Sequence, residues 1–203
     1  QSCIAAKRFI LMEKIAPEFL SIFRKKLEAL RTGDPLDSAT EVGPLARVDL
    51  AEQLEEQVKR SVAMGANLVT GGKREKANYT PAILTDVKPG MPAFDEELFG
   101  PVAAITIVKT EEEALAMANN SKFGLGVSVC TSSQFKAEKF IEKIEDGSVF
   151  INSLVKSDPR LPFGGTKRSG YGRELSEQGI REFVNIKTVY IKNEKTKDTV
   201  LTE

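Results

Sequence analysis

The sequence predicts an α/β fold, a mostly parallel sheet flanked by helices. Three observations carry that expectation. Strand-length apolar runs alternate with helical patterns along the chain, the order that builds parallel sheets with helices packed over them. Pro, Gly and capping residues stand between the runs, where elements start and stop. The chain has 203 residues, 41% of them hydrophobic, enough to enclose one core.

The first helical pattern lies directly behind Cys3, where "IAAKRFILMEKIA" has the apolar spacing of a helix and puts the thiol at its N-terminus. From Pro17 to Gly33, Phe19, Leu20, Phe23, Leu27 and Leu30 share one helical face, with Pro17 suited to the first turn and Gly33 to the C-terminal cap. Another helix is predicted from Asp49 to Met64, where Leu50, Leu54, Val58 and Val62 repeat every fourth residue and Gly65 ends the pattern. "ANLVTGG" reads as a strand and turn, and "PVAAITIV" as a strand from Pro101 to Val108. Thr110 and Glu113 form a capping box for a helix from Glu111 to Asn119. "GVSVCT" is a strand that sets Cys130 inside a sheet, Ser133 to Ile144 a helix, and "GSVFIN" a short strand. Val184 to Ile191 has strand composition but follows a glycine-rich loop, so it is expected to pair elsewhere, with another subunit. The charged end, "KNEKTKDTVLTE", is expected to fray.

Lys+Arg and Asp+Glu both number 29, so the net charge is zero and no single-sign field steers nucleic acid or an anionic membrane to the chain. No apolar run approaches the roughly 20 residues of a bilayer span, and no signal-peptide pattern stands at Gln1, which points to a cytoplasmic address. Cys3 and Cys130 are expected to be reduced, and neither has metal-ligand spacing, so no metal site is expected. The chain contains no His, which removes the commonest general base.

Three stretches are candidates for chemistry, each with a plainer reading beside it. "LPFGGTKRSGYGRE" interleaves glycines with Lys167, Arg168 and Arg173, but its spacing is not that of a phosphate loop. It is either a surface loop with positive-φ turns or backbone that passes close to something. In "FDEELFGPV" the acids Asp95, Glu96 and Glu97 form either a solvated face or part of an acid–base site. Adjacent residues of an extended segment point to opposite faces, so Glu97 and Phe99 are the pair able to share a pocket. Cys3 is either a packing residue or a thiolate favoured by a helix N-terminus.

Taken in order, "QSCIAAKR", "EELFGPV", "GSVFIN" and "PFGGTKRSGYGRE" resemble the C-terminal, catalytic-domain part of the aldehyde dehydrogenase superfamily from Gln1 to Ile191. "NSLVKSDPRLPFGG" and "KRSGYGREL" look most like the bacterial succinate-semialdehyde dehydrogenases. The resemblance implies that Cys3 is the nucleophile. Its thiolate would attack the aldehyde carbon, the thiohemiacetal would pass hydride to NAD or NADP, and water would hydrolyse the thioester to the acid. The Cys3 backbone N–H would form half of the oxyanion site. Glu97 matches the acid that holds the nicotinamide ribose hydroxyls, Phe99 the aromatic beside it, and Phe163 a residue lining the substrate tunnel. Ser157 and Arg160 lie where semialdehyde-specific members anchor a distal carboxylate.

On this resemblance residues 1–180 form the catalytic domain and 181–203 the oligomerisation strand and tail, which would join a homodimer or homotetramer. The dinucleotide-binding domain, the general-base glutamate and most cofactor contacts would lie in a part of the enzyme not contained here, and the 203-residue fragment alone is expected to be inactive. The alternatives are an aldehyde dehydrogenase for another small aldehyde and a non-catalytic structural or assembly protein of the same fold.

Overall fold

A computed structural model of the chain describes residues 1–192. The charged tail lies outside the described residues from Asn193 onward.

After a turn at Cys3 and Ile4 the chain enters β1 (Arg8–Met12), where a helix is expected from sequence. Pairing decides this: β1 lies parallel to β6, with Arg8 opposite Ala104 and Met12 opposite Val108. The face that buries Leu11 also stacks Phe9 on Phe23, with ring centroids 5.3 Å apart. An apolar run this short fits either period, and the partner strand selects. Cys3 therefore stands on a turn before a strand, and the helix-terminus argument for its thiolate does not apply.

Helix α1 (Ala16–Glu28) begins with Pro17 in its first turn and ends five residues before Gly33. Gly33 instead donates its N–H to the Val42 carbonyl in the following loop. Helix α2 (Val48–Ala63) buries the stripe Ala51, Leu54, Gln57, Val58 and Ser61. Strand β2 (Asn67–Thr70) follows, then the small hairpin β3 (Arg74–Glu75) and β4 (Asn78–Tyr79), and β5 (Ala82–Thr85), which is wholly buried. One turn of helix, α3 (Pro92–Asp95), is fastened to α2 because Ser61 Oγ accepts from the Ala93 N–H at 2.9 Å. Strand β6 (Val102–Val108) completes a four-stranded sheet of order β1-β6-β5-β2, parallel except for β2 against β5. Leu54, Leu84 and Leu98 form the core on one side of this sheet, and Ile83 and Ile105 with the α1 aromatics form it on the other.

Helix α4 (Glu111–Asn119) starts at the expected cap, Thr110 Oγ1 accepting from the Glu113 N–H at 3.1 Å. The reciprocal bond runs from the Lys109 N–H to Glu113 Oε2, one residue earlier than a capping box predicts. The remaining elements are β7 (Phe123–Gly124), β8 (Val127–Val129), α5 (Gln134–Lys143), β9 (Val149–Ile151), β10 (Thr166–Lys167) and α6 (Ser176–Arg181). β8 and β9 are parallel. β8 ends before Cys130, which is exposed and not inside a sheet. There the Asn152 side chain replaces the ladder, accepting from the Thr131 N–H at 2.9 Å and donating to the Thr131 carbonyl at 2.8 Å.

Residues 184–191 form no strand among the described residues, against the sequence expectation. A strand needs a neighbour to take its N–H and C=O groups, and the described part of this chain supplies none. The segment is apolar and exposed, Ile186 by 80% and Tyr190 by 84%. No helix among the described residues is long and apolar enough to cross a membrane.

Candidate active site

The turn carrying Cys3 is held by one distant bond and one local one. Gln1 Nε2 donates to the Gly43 carbonyl at 3.1 Å, and the Ala5 N–H donates to the Ser2 carbonyl at 3.2 Å. Cys3 is exposed, and among the described residues no group accepts from its backbone N–H. Lys7, at the foot of β1, reaches back into the turn. Its Nζ donates to the carbonyls of Ser2 at 2.9 Å, Ala5 at 2.9 Å and Cys3 at 3.3 Å.

The same ammonium meets the second motif. Glu97 Oε1 lies 3.8 Å from Lys7 Nζ, and the Phe99 ring centroid lies 5.3 Å from it. Burial draws Lys7 below the usual lysine value, opposed first by the Glu97 carboxylate and then by Cys3. The Cys3 turn and the Glu97–Phe99 pair, 94 or more residues apart in sequence, thus meet at one side chain.

The three acids separate by function. Asp95 Oδ2 accepts from the Gly90 N–H at 3.1 Å, closing the loop before α3. Glu96 turns to α2, accepting from Gln57 Nε2 at 2.9 Å and lying 3.5 Å from Arg60 Nη2. Buried Gln57 also reaches the Glu97 carbonyl at 3.4 Å and so orders the segment. Glu97, with its side chain 41% exposed, is left to face Lys7. The expectation that only one of Glu96 and Glu97 shares a pocket with Phe99 does not hold: their partners differ, but both border one cavity of about 420 Å³ with Phe99, Lys122, Phe123 and Arg168. Sequence reasoning missed Lys7 and Gln57. Neither has a signal in spacing, because Gln57 acts on a segment 40 residues away and Lys7 joins its own turn to Glu97, 90 residues away.

The glycine-rich stretch satisfies both of its sequence readings. Gly170 and Gly172 adopt φ of +118° and +75°, as turns require. The close approach is to the protein's own backbone: a Cβ on Gly147, in "GSVFIN", would lie 1.9 Å from the Gly164 carbonyl oxygen. The glycines therefore let two of the four motifs touch main chain to main chain. Arg173 fastens the loop by donating from Nη1 to the Gly165 carbonyl at 3.0 Å.

Ser157, Arg160 and Phe163 lie on one stretch of chain and make no hydrogen bond or ion pair to Cys3, Lys7, Glu97 or Phe99 among the described residues. Phe163 is half-buried and exchanges backbone bonds with Glu174 at 2.9 and 2.7 Å. Ser157 is exposed. The Arg160 guanidinium is engaged in a fork by Asp158, Nε to Oδ1 at 2.9 Å and Nη2 to Oδ2 at 2.7 Å. That guanidinium holds the Asp158 carboxyl well below the usual carboxylate range.

Known proteins bear on this arrangement. Residues 1–189 match the sequence profile of the aldehyde dehydrogenase family. A relative in Synechocystis sp., named a probable NADP(+) succinate-semialdehyde dehydrogenase, is 50% identical over 194 residues, covering 94% of this chain and 43% of the relative. A succinic semialdehyde dehydrogenase from Streptococcus pyogenes, solved with NADP+, superposes with a TM-score of 0.90 at 40% identity, over 95% of this chain and 43% of that one. A glyceraldehyde-3-phosphate dehydrogenase from Methanocaldococcus jannaschii, solved with NADP, gives a TM-score of 0.87 at 39% identity, over 93% of this chain and 41% of that one. The chain thus spans 43% of the length of the curated relative from Synechocystis.

Proposed function

Because the chain belongs to the aldehyde dehydrogenase family, we propose that it carries the nucleophile side of an NAD(P)-dependent aldehyde-oxidising site, acting in the whole enzyme on succinate semialdehyde. The observation that carries this reading is the convergence of the Cys3 turn, Glu97 and Phe99 on Lys7. Cys3 is the nucleophile: its sulfur bonds to the aldehyde carbon, and after two-electron oxidation the acyl group remains on sulfur as a thioester until water releases the acid and restores the thiol. The Cys3 N–H, free of an internal acceptor among the described residues, donates to the oxygen on which negative charge develops. The exposed carboxylate of Glu97 and the face of Phe99, bordering the same cavity, fit the ribose and ring of a nicotinamide nucleotide. Such a nucleotide supplies the two-electron acceptor.

The experiment is differential alkylation of the whole enzyme with iodoacetamide. Both thiols are exposed, so accessibility does not separate them. Selective labelling of Cys3 with loss of activity supports the enzyme, and equal inertness of Cys3 and Cys130 supports a structural protein instead. The 203-residue chain by itself is expected to produce no NAD(P)H from aldehyde and nucleotide.

Substrate choice rests on the Arg160 loop. The Asp158 fork occupies the guanidinium, which favours a second reading in which the aldehyde is small but not a dicarboxylate semialdehyde. In the whole enzyme Arg160→Ala is expected to raise KM for succinate semialdehyde about tenfold or more and to leave an uncharged aldehyde of similar length unaffected. An unchanged KM assigns the anchoring role elsewhere. The apolar exposed segment 183–191 supports pairing with a second copy, since Phe183 is 91% exposed in the single chain.

A further inference from the structure

We propose that Lys7 is a positioning residue that joins the Cys3 turn and the Glu97–Phe99 pair into one unit, so that a change at the carboxylate is felt at the thiol. The proposal rests on the roles given above to Cys3 and Glu97, and assigns one to a side chain that reading leaves without any.

An ammonium has three N–H donors, and all three have carbonyl acceptors in the turn: Ser2, Cys3 and Ala5. A lysine doing only this is a local clasp. The second observation is that the clasped ammonium is also the counter-charge of Glu97 at 3.8 Å and sits over Phe99. Its side chain is 17% exposed, so its charge is screened less than that of a fully solvated lysine. Alternation along β1 sends the neighbouring Arg8 the other way, to the carbonyls of Met117 and Ala118 at the end of α4. The titratable groups facing Lys7 are therefore Glu97 and Cys3. Without the ammonium the carbonyls of Ser2, Cys3 and Ala5 lose a shared donor, and Glu97 loses its counter-charge.

The test is alkylation of the whole enzyme by neutral iodoacetamide and by anionic iodoacetate, with the rates at Cys3 and Cys130 read separately by peptide mass spectrometry. A positive charge beside the thiol favours the anion. Lys7→Met is expected to lower the iodoacetate-to-iodoacetamide ratio at Cys3 by about three- to tenfold with Cys130 unmoved, and Lys7→Arg to keep it near the wild-type value. Glu97→Gln, at a half-exposed side chain outside the core, is expected to raise the ratio by unmasking the ammonium, and Lys7→Met to cancel most of that rise. A purely structural lysine would change both reagents alike. A Lys7→Met ratio equal to wild type overturns the proposal. If that variant does not fold, an unchanged ratio in Glu97→Gln overturns it as well. Equal alkylation of Cys3 and Cys130 in the wild-type enzyme removes the nucleophile assignment too, whereas a fast Cys3 insensitive to Lys7 removes this proposal alone.

Discussion

Replacing Cys3 by Ser in the whole enzyme is expected to lower kcat for aldehyde oxidation by on the order of 10³-fold or more. A thiol is a few per cent ionised at neutral pH and intrinsically nucleophilic, whereas a serine hydroxyl needs a strong base to be either. This chain has no His to serve as one. The substitution is small, at an exposed turn, so folding should be preserved and the melting temperature should stay within a degree or two of wild type. Steady-state kinetics with both proteins at matched concentration measures the effect. A variant that retains a tenth of wild-type kcat would remove Cys3 from the reaction and leave it as a surface thiol.

The second large effect is on the fold. Ile105→Ala is expected to destabilise the chain by about 2–5 kcal/mol, against a total stability of roughly 5–15 kcal/mol for a domain. Ile105 is 0% exposed at the centre of β6, between β1 and β5, and packs in the cluster with Leu11, Ala16, Ile83 and Ala103. Truncation leaves a cavity that the paired strands on both sides prevent from collapsing. Two residues on, Ile107 is 44% exposed, and Ile107→Ala should cost less than about 1 kcal/mol. Urea unfolding of the two variants side by side gives the comparison. The strand that Ile105 supports is the one behind Cys3, so the larger loss should also blunt the preference for alkylating Cys3 over Cys130. Equal destabilisation by the two substitutions would mean that β6 does not hold β1 in the way described.

Much of this was legible in local pattern. The helix with its Thr110 cap spans Glu111–Asn119 as its spacing predicts, and Val102–Val108 is a strand within one residue of expectation. Both signals lie within a few residues of the element they specify. The errors share the opposite property. Arg8–Met12 has helical spacing but becomes a strand because Ala104 to Val108 offer it a ladder. Cys130 falls outside the sheet because the Asn152 side chain takes over its neighbour's backbone bonds. Residues 184–191 have strand composition and no partner strand in the described chain.

The site divides along the same line. Cys3, Glu97, Phe99, Phe163, Ser157 and Arg160 stand out in the sequence through motifs whose order and separation resemble those of one superfamily, and that much needed no coordinates. Only the folded chain decided which of these motif residues meet, that Glu96 turns away to Gln57 while Glu97 stays open, that Asp158 takes the Arg160 fork, and that Lys7 links the Cys3 turn to the Glu97 carboxylate. Residue type and spacing encode chemistry locally, whereas contacts between segments 40 to 90 residues apart depend on strand pairing and burial that no local window contains.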